Sequence, residues 1–352
     1  MKILFVGQTW LGSCARSMKE ALARHPEIEL DELAEDAFTP KVNSKLLRGL
    51  NKLVRPLYQK EFNQQVVEKI RHGMPDFLVT YKGGFVGTDL LQSVSSMGVK
   101  TVNIYPDYSP QAYGLAHRQA VGQYDLVIST KEYHPGLWSD LYRYANRCRF
   151  VPQGYDPLLH YRDAPSTSFE YDVVMIATYR EEYGRLIVEL AALLNEKNIR
   201  VAIGGHGWSA KADSLPSHWF LPGAVHGDDY ISLLRSGKMC IAPLTRDVVI
   251  DGARQPGDVD TTRSYELAAS YCFFIHQRTD YVSGLYGSAG VPMFDDATEL
   301  ADHIRYFLAH DEERVDVARK AHELAVPDFS LDARVVEIIS ILEKELDTQV
   351  VG

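Results

Sequence analysis

Apolar runs of strand length alternate with amphipathic helical patterns along nearly the whole chain, in two successive series, and that alternation restricts the fold to parallel α/β layers. The first series predicts strands at 2–6, 76–81, 100–105, 126–129 and 149–151, with helices at 13–23 and 90–97. The second predicts strands at 171–177, 200–203, 224–226, 239–242 and 273–276. A chain of 352 residues is also too long for one ordinary core.

Two such runs imply two Rossmann-like domains facing one another, each with a parallel sheet. Pro152, Gly154, Pro157, Pro165 and a Ser-Thr-Ser run break the periodicity between them. The expected division is an N-terminal domain over 1–155, a linker over 156–170, a C-terminal domain over 171–328, and a final helix and tail over 329–352. Val335, Ile338, Ile339, Leu342 and Leu346 give that helix its apolar stripe, which is expected to pack back on the first domain.

Bulk properties exclude several classes. A net charge of −10 argues against general nucleic-acid binding, because a positive field is the usual footprint of such proteins. Cys14, Cys148, Cys240 and Cys272 are scattered without metal-type spacing and read as reduced thiols. No metal is therefore expected. The run at 1–7 reads as a buried strand and not as a signal peptide, and no stretch approaches the about 20 apolar residues of a membrane span. A cytoplasmic location is expected. One basic segment, 41–71, also carries leucines and valine in a stripe, so it is a candidate for peripheral contact with an anionic membrane face or an acidic acceptor. Its plainer reading is a helix packed on its own domain with a solvated basic face.

The chemistry concentrates at 258–266, Asp-Val-Asp-Thr-Thr-Arg-Ser-Tyr-Glu, where Asp258 and Glu266 stand eight positions apart at a loop-to-helix junction. A helix starting near Thr261, capped by Asp258 or Asp260, would point the N–H groups of Thr261, Thr262 and Arg263 at a diphosphate. Ionised carboxylates accept hydrogen bonds only and so suit ribose and sugar hydroxyls. A plain capped helix explains the same nine residues.

Other candidates follow strand ends. Gly12 and Ser13 open the first helix, where backbone N–H groups could approach a phosphate or an acceptor sugar. The dinucleotide fingerprint is incomplete there, and no acidic residue ends a clear second strand. Lys82, Gly83 and Asp107 follow two further strands, and Asp107 suits an acceptor hydroxyl either as base or as binding group, or is a turn-former. In the second half Arg180 and Arg185 could neutralise a leaving diphosphate, or pair with Glu181 and Glu182 on the surface. Gly205, His206, Gly207, Trp208, His226 and Gly227 could hold a nucleobase by stacking and main-chain hydrogen bonds.

With these residues in view, the second half resembles the donor domain of GT-B glycosyltransferases of the group 1 superfamily. Asp258 and Glu266 match the two acidic positions of its Glu-x7-Glu motif, with Asp replacing the first Glu. The segment 257–266 is similar to one carried by the CgeB-type, spore-maturation branch, and the run 290–310 is similar to that branch's tail. The resemblance implies an α/β GT-B fold, a nucleotide-diphosphate sugar as donor with no bound metal, and a glycan or other envelope acceptor held by the first domain, as in polysaccharide biosynthesis. It further implies Glu266 on ribose, Asp258 on the donor sugar, Thr261 and Thr262 on phosphate, and Arg180 with Arg185 at its side. Asp107, Asp258, Glu266 and Arg180 are then the candidate catalytic residues. With no side chain placed as nucleophile, retention through front-face attack is expected. A nucleotide-sugar epimerase on the same fold, or a non-catalytic two-domain ligand-binding protein, are the alternatives.

Overall fold

A computed structural model describes residues 1–38, 45–113, 115–136, 147–194 and 198–347, with side chains from 56 onward in the helix that begins at 45. The chain forms two compact units, Met1–Pro152 with Arg334–Gly352, and Gln153–Ala333. Each contains a six-stranded, all-parallel sheet flanked by helices, the Rossmann-like arrangement.

The first unit is built from β1 (Lys2–Gly7), β2 (Glu29–Ala34), β3 (Phe77–Tyr81), β4 (Lys100–Tyr105), β5 (Leu126–Ser129) and β6 (Cys148–Phe150), in the order β2-β1-β3-β4-β5-β6. Strand order reverses between β1 and β3, so the loops after those strands border the crevice where open α/β sheets bind ligands. Helices α1 (Cys14–Arg24), α2 (Lys45–Gly73), α3 (Thr88–Ser96) and α4 (Leu115–Val121) lie between the strands.

β2 escapes the sequence reading because it is an acidic edge strand, with only Leu33 fully buried. The acidic residues that follow it correct the expectation that none stands there. Asp36 accepts the Thr9 N–H at 2.8 Å, and the buried Glu35 accepts the Phe85 N–H at 3.3 Å, so both carboxylates brace loops of the sheet edge.

Of the basic segment, 41–44 and the side chains to 55 lie outside the described residues. The rest of α2 buries Phe62, Val66 and Ile70, at i, i+4 and i+8, in the core of the first unit.

The second unit holds β7 (Tyr171–Ile176), β8 (Val201–Gly204), β9 (Phe220–Gly223), β10 (Gly237–Ala242), β13 (Phe274–Gln277) and β14 (Met293–Phe294), in the order β14-β13-β10-β7-β8-β9. Its switch point lies between β7 and β10. A separate antiparallel hairpin, β11 (Val248–Ile250) and β12 (Ala253–Gln255), turns at Asp251-Gly252, both with positive φ. Asp-Gly between short strands is a strong short-range hairpin signal. β9 comes four residues before the expected 224–226, because that stretch is the loop entering the next helix.

Helices α5 (Glu181–Leu193), α6 (Asp228–Arg235), α7 (Arg263–Ala269), α8 (Asp280–Tyr286), α9 (Ala297–Ala309) and α10 (Asp311–Asp328) surround this sheet. In α5, Tyr183, Ile187 and Leu190 form the buried stripe. The last helix, α11 (Leu331–Asp347), buries Val335, Ile338, Ile339 and Leu342, and its residues from Arg334 cluster with the first unit.

Within the expected linker Asp156 and His160 are buried, and Tyr155, just before it, is buried and donates to the carbonyl of Val326 at 2.8 Å. Among the described residues, no helix is long and apolar enough to cross a membrane.

Candidate functional site

All strands of the second sheet run parallel, so the loops after β7, β8 and β10 emerge at one edge. The segment containing Asp258 and Glu266 is fastened to that edge. Asp258 N–H donates to the carbonyl of Thr245, just past β10, at 2.7 Å. A Cβ on Gly257 would lie 2.2 Å from the Thr245 oxygen, so only glycine admits this close approach. Arg263 donates from Nη2 to the carbonyl of Pro243 at 3.0 Å in the same loop.

Glu266 projects from the first turn of α7 with a side chain 12% exposed. Its Oε2 accepts from the Tyr230 hydroxyl at 2.6 Å, and its Oε1 lies 3.6 Å from His160 Nε2. Burial, followed by the adjacent Glu266 charge, pushes the Tyr230 phenol well above its ordinary value, so Tyr230 stays protonated and remains a donor. His160 Nδ1 accepts the Asp156 N–H at 3.0 Å, which places the ring proton on Nε2, toward Glu266.

The helix departs from expectation at its start. α7 begins at Arg263, with Thr262 as cap residue and no side-chain capping bond. Asp260 is fully buried and accepts from the Tyr265 hydroxyl at 2.6 Å, which anchors it in the core two residues before the cap position. The Thr261 N–H donates to Ser264 Oγ at 3.1 Å and is consumed inside the loop, which removes it as a phosphate donor. Thr261 Oγ1 and Arg263 Nε are buried with no hydrogen-bond partner among the described residues. Ser264 Oγ in turn meets His276 Nε2 at 2.8 Å, while His276 Nδ1 meets the Gln277 carbonyl at 2.8 Å. Burial lowers the His276 pKa to about 4. The neutral ring therefore donates from Nδ1 and accepts the Ser264 proton at Nε2.

Arg180 is the exposed cap residue of α5, at the end of β7. Arg185, one turn on, pairs with Asp247 at 2.8 Å rather than with Glu181 or Glu182. Those two glutamates are engaged elsewhere: Glu181 accepts from the Tyr179 hydroxyl, and Glu182 from the Arg246 N–H.

Gly205 has φ of 127°, and a Cβ there would lie 2.0 Å from the Ala177 carbonyl oxygen, so the backbone turn after β8 demands glycine. Its N–H donates to the carbonyl of Gly223, and the His206 carbonyl accepts the Tyr179 N–H at 2.8 Å, which ties this loop to the one after β7. Gly207 (φ 93°) and Gly227 (φ 59°) are also left-handed. His206 and His226 are exposed. Trp208 is a correction. Its ring is 1% exposed and its Nε1 donates to the Ala177 carbonyl at 2.7 Å, so it is core and offers no face to a base.

In the first unit, Lys82 and Asp107 meet at 2.7 Å beyond the ends of β3 and β4. Burial alone would lower the Lys82 pKa, but Asp107 outweighs it and raises the value. Gly83 (φ 74°) packs where a Cβ would lie 2.7 Å from the Tyr124 hydroxyl. Gly12 (φ 91°) turns the loop after β1, and the Ser13 N–H donates inward to the Trp10 carbonyl at 3.1 Å, which withdraws it from any ligand.

Sequence reasoning missed Tyr230, His160, Thr245 and Asp247. No local pattern marks the first three. Asp247 stands one residue before the hairpin whose Asp-Gly turn the sequence does display.

Residues 180–340 match the model of the family described as glycosyl transferase-like. No curated protein matches the chain. Among solved structures, the chain is similar to a sucrose-phosphate synthase from Thermosynechococcus elongatus, at 12% identity and TM-score 0.68, over 99% of this chain and 100% of that one. It is also similar to HepE from Anabaena in complex with UDP-glucose, at 15% identity and TM-score 0.69, over 98% of this chain and 100% of that one. A UDP-GlcNAc 2-epimerase from Neisseria meningitidis bound to UDP-GlcNAc is more distant, at 12% identity and TM-score 0.55, over 98% of this chain and 100% of that one. The fold is thus GT-B, and the match to glycosyl transferase-like sequences covers most of the second unit and the start of the last helix.

Proposed function

We propose that the protein is a glycosyltransferase that moves a sugar from a nucleotide-diphosphate donor to a glycan or other cell-envelope acceptor, and that it falls in the CgeB-type branch. The observation that carries this reading is the fastening of the segment 257–266 to the loop after β10, beside the switch point of the second sheet. Its two carboxylates then border the crevice where a nucleotide would lie.

In this reading Glu266, oriented by Tyr230, accepts the ribose hydroxyls, and Asp258 accepts those of the donor sugar. Arg263 Nε and Thr261 Oγ1, both buried and unpartnered, supply donors to the diphosphate in place of the Thr261 N–H. Arg180 approaches the leaving phosphate from the end of β7, and Arg185 does so on release from Asp247. Thr262, the loops of Gly205, His206 and Gly207, and those of His226 and Gly227 enclose the nucleoside through their backbones. Arginines carry the charge stabilisation that a metal would otherwise provide, and transfer proceeds with retention. Asp107, beside Lys82, faces the acceptor hydroxyl. UDP-glucose bound to HepE makes a uridine donor the first to try.

The test is nucleotide release from UDP-, GDP-, dTDP- and CMP-sugars in the presence of EDTA, with Glu266→Gln in parallel. Slow turnover of one donor, indifferent to EDTA and lost in the variant, is expected. No turnover and no thermal shift with any nucleotide overturns the reading. Similarity to UDP-GlcNAc 2-epimerases gives the second reading a footing, and an epimerised sugar nucleotide without free nucleotide would select it.

A further inference from the structure

A pocket of about 360 Å³ opens within the first unit, lined by Gln59, Lys82, Val86, Tyr113 and His117 together with the glycines after β3. It lies next to the switch point of that sheet, and its volume falls in the range of about 300–1,000 Å³ usual for small-molecule sites.

Charge narrows the ligand. Lys82 is neutralised by Asp107 at 2.7 Å, so the pocket favours neither a phosphate nor a cation. Shape narrows it further. The Lys82 ammonium stands 3.8 Å from the centre of the Tyr113 ring and occupies the face on which a base would stack. What remains is neutral and polar.

His117 carries the decisive observation. Its Nε2 is buried with no hydrogen-bond partner among the described residues. Burial first, and then the neighbouring Lys82, lower its pKa to about 4, so the ring is neutral near pH 7. A neutral imidazole nitrogen either accepts or donates depending on tautomer, and a hydroxyl does both, so a hydroxyl satisfies it in either state. The half-exposed Tyr113 ring stands edge-on to His117, with centroids 5.5 Å apart, and is the wall that a ligand would turn aside. Lys82 also holds φ of 65°, a strained conformation for a residue with a side chain, of the kind that gathers at binding sites.

We propose that this pocket binds a neutral polyhydroxyl compound, a free sugar or the sugar end of a glycan, and that His117 recognises one of its hydroxyls. The inference rests on the proposed transferase activity only in naming this ligand the acceptor.

The test uses the full chain without nucleotide, with glucose, galactose, N-acetylglucosamine and sucrose as probes in saturation-transfer NMR. At least one probe is expected to bind. His117→Phe should weaken it about tenfold with the unfolding midpoint retained, and His117→Gln should recover part of the loss, since an amide also offers donor and acceptor. Binding of none of the four, equal binding in both variants, or displacement by inorganic phosphate overturns the proposal. Donor turnover to water is measured alongside on the wild-type chain. Its failure in the wild-type chain would count against the transferase and not against the pocket.

Discussion

The hydroxyl of Tyr230, on α6, donates to Oε2 of Glu266, on α7, across 2.6 Å, and this bond joins the helix after β9 to the helix after the β11–β12 hairpin. A carboxylate that must hold a ligand in one orientation needs such a partner, because its own torsions leave it free to rotate. Tyr230→Phe keeps the ring and removes the bond. Hydrogen bonds to charged groups contribute about 1.5–3 kcal/mol, so the unfolding midpoint should fall measurably. Donor KM should rise about tenfold with a smaller change in kcat, as steady-state kinetics of nucleotide release would record. An unchanged KM would mean that Glu266 does not touch the donor.

The contact between Gly257 and Thr245 makes a sharper prediction. A methyl group on Gly257 must displace backbone, since the atoms it meets are the Thr245 carbonyl and the Arg246 Cα. Gly257→Ala should cost roughly 2 kcal/mol or more and abolish donor turnover by shifting Asp258. Gly284, inside α8 with open space around its Cα, is the control. Gly284→Ala should stabilise the chain by about 0.5–1 kcal/mol in urea titrations, as helix propensity dictates.

These relationships also show what the sequence could and could not convey. Buried strands such as β3 and β7 announce themselves by their apolar stretches, Phe77 to Val79 and Val173 to Ile176, and the glycines at 205 and 207 as a turn. β2 stays hidden because an edge strand that buries one side chain has the composition of a loop. The carboxylates at 258 and 266 stand out by type and spacing. Tyr230, 36 positions away from Glu266, does not, because its role exists only once the fold brings α6 against α7. Trp208 failed in the opposite way. An aromatic in a glycine-rich loop reads as a ligand platform, yet the left-handed Gly207 turns it into the core.

Lys82 and Asp107 should be coupled. Their side chains are 35% and 29% exposed, so solvent screens the pair, and a double-mutant cycle with Lys82→Met and Asp107→Asn should return about 1 kcal/mol. Each single variant should lose more than the pair together, because each leaves one charge half-buried without its partner. Urea unfolding of the four chains measures this directly. Strict additivity would show that the pair forms no energetic unit.

Acid should weaken the second unit through His276. The ring has an ordinary pKa of 6.5 when unfolded and about 4 when folded, burial being the main cause. Between those values the unfolded chain binds the extra proton, so stability rises with pH there. The contribution is fully present above about 6.5, is lost progressively on acidification, and levels off below about 4, amounting to roughly 3 kcal/mol. The structural cost is specific, because a proton on Nε2 removes the acceptor for Ser264 Oγ, and Ser264 holds the Thr261 N–H in the loop next to Asp258. Buried His134, with a folded pKa of about 3, adds a slope of the same sign from the first unit. Urea midpoints measured from about pH 7 to about pH 4.5 should therefore fall in the wild-type chain. In His276→Gln the fall should be shallower by this residue's share, and donor turnover in that variant should lose its acid limb before the protein unfolds. Parallel slopes in the two chains would assign the acid sensitivity to other groups and detach the loop of Thr261 from His276.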